Sequence, residues 1–217
     1  MTSQYDLHTH TTLTDGELLP TELIRRMAVL GYTTVAITDH ADRSNVETLV
    51  AMIEKIRESA ECYGVKLLTG VELTHVPPPE IPVLAGMARK AGAQVIIVHG
   101  ETTVEPVAVG TNLAACGCEE VDILAHPGLI TREEAELARE NRVMIELTSR
   151  GGHNRTNGHV ARVAREAGCM LVVNSDAHAP HDLLDKRAKF IIATGSGLKN
   201  DEASRAISLN IEKYFPE

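Results

Sequence analysis

Seven times along this chain a short apolar run ends on a histidine or a carboxylate and gives way to a stretch with helical spacing. The runs are Tyr5–His10, Val35–His40, Leu67–Glu72, Val95–His99, Asp122–His126, Val143–Glu146 and Met170–Asp176. They are continuous rather than alternating, which predicts strands buried on both faces, as in a parallel sheet. Between them Leu23, Ile24, Met27 and Leu30 follow Pro20 at helical spacing, and Val46, Leu49, Val50, Ile53 and Ile56 repeat the pattern. Further helices are predicted over 82–91, 111–116, 131–141 and 159–168, with a last one over about 201–214. Strict alternation builds βαβ units with right-handed crossovers, which either close into a barrel or stay an open doubly wound sheet.

The placement of the polar residues decides between these. In an α/β barrel the C-terminal strand ends converge on one mouth, whereas an open sheet spreads them along an edge. Polar groups at nearly every strand end therefore favour an α/β fold of the (β/α)7 barrel type, distorted, with a metal site at the C-terminal mouth of the strands. At 217 residues and 43% hydrophobic content, one barrel domain spanning 1–217 is expected. The densest ligand cluster is Asp6–Gly16. His8 and His10 lie two apart, on one face of an extended strand, so a single cation can be gripped by both imidazoles. Asp15, followed by the turn-making Gly16, can swing a carboxylate towards the same pocket.

A net charge of -9, no Trp, two Phe and four Tyr disfavour a protein that wraps long nucleic acid, so stable nucleic-acid binding is not expected. Bound divalent cations would reverse that sign locally. No apolar run approaches the roughly 18 residues of a membrane span, and the opening Met-Thr-Ser-Gln-Tyr has neither a basic nor an apolar leader segment. The expected location is the cytoplasm. Cys62, Cys116, Cys118 and Cys169 lack paired CxxC spacing and read as reduced thiols.

The set DLHTHTTLTDG from Asp6, ITDH ending in Asp39-His40, GVE ending in Glu72, VHG with His99, AHPG with His126 and SDAH with Asp176 and His178 resembles the polymerase and histidinol phosphatase (PHP) family. The resemblance runs from Asp6 to His178. It implies a distorted (β/α)7 barrel that holds up to three divalent metals and hydrolyses phosphate esters. By resemblance, His8, His10, Glu72 and Asp176 hold one metal. Glu72 bridges to a second held by His99 and His126, while Asp15, His40 and His178 hold a third. No catalytic residue separate from these ligands is implied.

Mixed imidazole and carboxylate ligands suit Zn, Mn or Fe better than Mg or Ca. Two such cations about 3.5 to 4 Å apart can share a bridging hydroxide and clamp both oxygens of an in-line displacement. A third neutralises charge on the remaining phosphate oxygens. The expected activity is hydrolysis of a small phosphomonoester, such as histidinol phosphate or a nucleotide. The alternatives are a phosphodiesterase or 5' exonuclease acting on short nucleic acid, and a non-catalytic PHP module; members of that last kind tend to lose ligands, and here the set is complete. Histidinol phosphatase-like members often carry a histidine where this chain has Asp15, a variant also seen among nucleotide and cyclic-phosphate hydrolases of the family.

Substrate selection is expected from loops after the strands. Ser149–Arg155 offers Arg150, His153 and Arg155 beside two glycines, a mix suited to anionic oxygens, and Arg43 can reach the mouth from the second loop. The loop from Glu101 to Gly110 is long enough for a lid, though nothing in it fixes a chemistry. Asp6 and Asp39 read either as outer partners of His8 and His40 or as carboxylates satisfying backbone amides. Glu146 reads as a pocket group or a buried acid paired with an arginine. His75 reads as a loop residue near the rim, and His159 and His181 as surface histidines at helix starts.

Overall fold

The strands β1 (Tyr5–Asp6), β2 (Thr34–Ile37), β3 (His40–Ala41), β4 (Lys66–Leu73), β5 (Val95–His99), β6 (Ile123–Ala125), β7 (Met144–Thr148) and β8 (Leu171–Asn174) all pair in parallel. Their order is β1-β2-β4-β5-β6-β7-β8, with β3 also on β4. This computed structural model describes residues 4–216; Met1–Ser3, part of the stretch read above as leaderless, and Glu217 lie outside the described residues. Thr34 pairs with Lys66 and His40 with Glu72, so β2 and β3 keep one register on β4 and are two halves of a single stave. The break falls at Thr38-Asp39. There the Asp39 carboxylate accepts from Thr11 N, Thr11 Oγ1 and Thr14 Oγ1 at 2.7–2.8 Å.

Closure happens at the mouth. Beyond β1 and β8 the two chain segments meet: Asp176 N donates to His8 O at 3.0 Å, His10 N to Ala177 O at 2.9 Å, and Thr9 bridges Ala177 in parallel. The result is a nearly closed barrel of seven parallel staves, the distorted (β/α)7 architecture. Its interior is filled by Tyr5, Leu7, Leu68, Ile97, Ile123 and Val172, and the helices pack outside.

The helices are α1 (Pro20–Val29), α2 (Val46–Glu54), α3 (Arg57–Cys62), α4 (Ile81–Ala91), α5 (Thr111–Cys116), α6 (Arg132–Asn141), α7 (Asn157–Ala167), α8 (Lys186–Gly195) and α9 (Asn200–Ala206). Sequence starts and stops hold well where caps are explicit. Thr131 opens α6 with a reciprocal capping box to Glu134. The helix expected to end near Tyr214 instead stops at Ala206, because Ile211 and Phe215 turn inward to plug the barrel interior. Burying each of those side chains is worth about 1.5–3 kcal/mol, more than the helical turns given up. Helix α8 has no counterpart in the sequence reading. Among the described residues no helix is long and apolar enough to cross a membrane.

Candidate functional site

Every strand-end group singled out above faces one mouth cavity or lies directly beneath it. His8 and His10 follow β1 with ring centroids 5.1 Å apart, both fully buried. His8 Nε2 lies 3.3 Å from Glu72 Oε1 and 3.6 Å from Asp176 Oδ1, while His10 Nε2 lies 3.6 Å from Glu72 Oε2 and 3.3 Å from Asp176 Oδ1. His126 Nε2 approaches the other oxygen of Asp176 at 3.5 Å and Glu72 Oε1 at 3.6 Å. On the opposite rim, His40 Nε2 and His178 Nε2 converge on Asp15 Oδ2 at 3.4 and 3.3 Å. Glu72 therefore sits at the centre: it is 2.8 Å from His40 Nδ1 as well.

Local sequence explains these positions. Asp39 pins Thr11 and Thr14, which frames the turn that presents Asp15. A Cβ on Gly16 would lie 2.6 Å from His10 O, so the turn needs glycine to fold back against the histidine strand. Gly128, with φ 59°, does the same between loops: a Cβ there would be 2.0 Å from Glu101 O. Among the described non-glycine residues positive φ occurs at His75, His126, Asp176 and Arg142. Arg142 caps α6, so the remaining left-handed strain falls on site residues, where the fold must over-determine it.

The charges at the mouth lean on one another. Burial opposes charge on His40, yet hydrogen bonds to Asp15 and Glu72 outweigh it and raise the imidazole to about 10. Burial likewise works against ionising Glu72 and Asp176, but His8 and its neighbours hold both carboxyls below the usual range. His10 and His153 lack enough compensation for burial and fall to about 4, so each keeps a free lone pair at neutral pH. His8 Nε2, both ring nitrogens of His10 and His126, and Glu72 Oε1 are buried with no hydrogen-bond partner. An orphaned buried polar atom costs about 1–3 kcal/mol. Imidazoles and carboxylates with inward lone pairs are the donor set for a borderline transition-metal cation, so the residues fit the metals that the motifs imply.

The other expected residues fall in different places. Arg150 borders a cavity of about 280 Å³ with the mouth residues, its Nη1 3.2 Å from Asp182 Oδ2. His153 borders the same cavity and is buried. Arg43 turns away: its guanidinium pairs with Glu80 at 3.0 Å, and it does not line the cavity. Glu146 is fully buried without an arginine; it accepts from His8 Nδ1 at 2.8 Å, Asn174 Nδ2 at 2.9 Å and His126 N at 3.2 Å. Asp6 accepts from the backbone N of His8 and Ser175 rather than from a ring, and Asp39 bonds the threonines rather than His40. Glu105 went unnoticed in the sequence. Its carboxylate reaches His99, His75 and His153 at 3.1–3.2 Å from the loop after β5. The available signal was a second acid, after Glu101, midway along a long loop that follows a histidine-ended strand.

Residues 6–198 match the PHP domain. An uncharacterized protein of Methanocaldococcus jannaschii is 48% identical over 94% of this chain and 94% of its own length. Ribonuclease P protein component 3 of Methanosarcina barkeri is 30% identical over 97% of this chain and 88% of its own. Among solved structures, histidinol phosphate phosphatase of Lactococcus lactis, complexed with zinc, L-histidinol and phosphate, superposes with a TM-score of 0.66. That likeness covers 91% of this chain and 95% of the other at 13% identity, and it speaks for the fold.

Proposed function

Because the chain belongs to the PHP domain family, matched over residues 6–198, we propose that it is a divalent-metal-dependent phosphoesterase acting on a small phosphomonoester. The observation that carries this is the group of partnerless buried nitrogens on His8, His10 and His126, together with Glu72 Oε1, gathered in and beneath a cavity that Arg150 also lines. In this reading His8, His10, Glu72 and Asp176 hold one cation, Glu72, His99 and His126 a second, and Asp15, His40 and His178 a third, each of them Zn, Mn or Fe. When bound, such cations supply Lewis-acid polarisation of the phosphoryl group and lower the pKa of nearby water.

The chain's own residues do the rest. Glu146 accepts a hydrogen bond from His8 Nδ1 and so turns its Nε2 into the mouth. Asp182 holds Arg150 at the cavity edge, where its guanidinium can fork onto non-bridging phosphate oxygens. Asp15 draws His40 and His178 together. A cavity of about 280 Å³ takes a phosphate with a small leaving group. A second reading, hydrolysis of a phosphodiester in short nucleic acid, draws on a 5'-3' exoribonuclease of Haemophilus influenzae that is 39% identical over 34% of this chain and 24% of its own length.

Metal analysis of the purified protein, followed by assay of phosphomonoesters, diesters and short oligonucleotides with Zn or Mn added, tests the proposal. Replacing His8 and His10 together by Ala should remove bound metal and cut monoester hydrolysis by at least about a thousandfold. A protein that takes up no transition metal, or a double variant that hydrolyses normally, overturns it. Faster turnover of oligonucleotides than of any monoester favours the second reading.

A further inference from the structure

His153 falls outside the nine residues assigned above by family resemblance, yet it is built into the mouth as they are. It is only 7% exposed, and its Nδ1 is buried with no hydrogen-bond partner. Its ring centroid lies 4.3 Å from that of His126 and 5.6 Å from that of His99. One ring nitrogen of each of the three comes within 4.8 Å of the other two.

The surroundings hold that arrangement. His99 Nδ1 donates to Gly100 O at 3.1 Å, leaving Nε2 to face inward. Glu105 spans the pair, Oε2 3.2 Å from His99 Nε2 and Oε1 3.1 Å from His153 Nε2. The loop carrying Glu105 also packs against the loop carrying His153: a Cβ on Gly152 would meet Val104 at 3.4 Å. Gly152 has φ 93°, and the turn it opens, His153–Thr156, is what points the imidazole into the mouth. A buried imidazole nitrogen without a partner is costly where nothing uses its lone pair.

We propose that His153 is a ligand of the second cation, which is thereby held by Glu72 and the imidazoles of His99, His126 and His153, and that Glu105, accepting from His153 Nε2, holds that ring with its Nδ1 free for the cation. The proposal rests on the metal-dependent reading above and adds a chemical preference to it. A cation with three imidazoles is a Zn(II), Co(II) or Fe(II) position, whereas an oxygen-richer position such as that of His8, His10, Glu72 and Asp176 tolerates Mn(II).

The experiment is titration of the metal-stripped full chain with Co(II), Zn(II) and Mn(II), read by Co(II) visible absorption and by bound metal per chain. The unaltered chain, His153→Ala and His153→Cys are compared, with circular dichroism to verify folding. In His153→Ala one equivalent of Zn(II) or Co(II) should weaken at least about a hundredfold, beyond the loss of an outer partner. The first equivalent and Mn(II) uptake should stay as they were. His153→Cys, which keeps a ligating atom, should restore that equivalent and add a thiolate absorption band. If the unaltered chain binds these ions and His153→Ala binds every equivalent with the same affinity and spectrum, His153 is not a ligand and this proposal falls alone. An unaltered chain that binds no transition metal overturns the phosphoesterase reading together with it.

Discussion

Two buried ionic regions adjoin along β1, and they differ in one respect. In the floor, Lys189 Nζ bonds Tyr5 O and lies 4.1 Å from the centre of the Tyr5 ring, Asp6 accepts from the amides of His8 and Ser175, and Tyr5 Oη donates to Ala206 O. In the mouth, His8 Nε2, His10, His126 and Glu72 Oε1 are left without hydrogen-bond partners. Both regions cost desolvation, but these polar groups of the floor find hydrogen-bond partners within the chain, whereas the named atoms of the mouth do not. Buried charge that is satisfied internally is architecture. Buried polar atoms that stay unsatisfied are a binding site waiting on a ligand, and the boundary between the two runs through Glu146, which serves Asn174 on one side and His8 on the other.

The largest expected effect is in the floor. Lys189→Met leaves the buried Asp6 and Glu146 without their cation and should cost about 3–5 kcal/mol of stability in a urea titration, while the folded fraction still loads metal. Burial pushes the Lys189 ammonium down from 10.5 to about 8 against the pull of Asp6 and Glu146. Between those pH values the unfolded chain binds more protons than the folded one, so the lysine's contribution makes stability rise with pH across that window. The variant should lose this upward slope. Stability unchanged by Lys189→Met would mean that the floor is held by packing alone.

Glu146→Gln comes next and sharpens where the boundary lies. The amide keeps the shape and can still bond Asn174, but it no longer offers His8 Nδ1 a charged acceptor. Metal affinity, measured by competition with a chelator, should fall about 10- to 100-fold with little change in urea midpoint. A large loss of stability with unchanged affinity would instead assign Glu146 to the floor.

The contrast between regions also explains what could be read beforehand. Strands are legible because Val95–His99 and its counterparts are buried on both faces, which leaves a continuous apolar signature. The ligand residues are legible because each ends such a run. Lys189 is not: it lies on α8, whose sequence Lys186–Gly195 mixes charges with apolar residues, and nothing local says that one of its lysines points into the barrel. Glu105 is hidden for a related reason, since its meeting with His75, His99 and His153 depends on how three loops pack rather than on any period in the sequence.

Arg43 tests the outer edge of the comparison and carries the smallest effect. Its place in the second loop makes it a candidate phosphate contact, but its side chain is 57% exposed and engaged with Glu80. An exposed pair of that kind contributes roughly 0–1 kcal/mol and is screened by salt. Arg43→Ala should leave kcat/KM for a phosphomonoester within about twofold and the urea midpoint nearly where it was. A loss of tenfold or more, fading at high salt, would show Arg43 leaving Glu80 for the substrate, and would extend the binding region from the buried mouth onto the exposed rim.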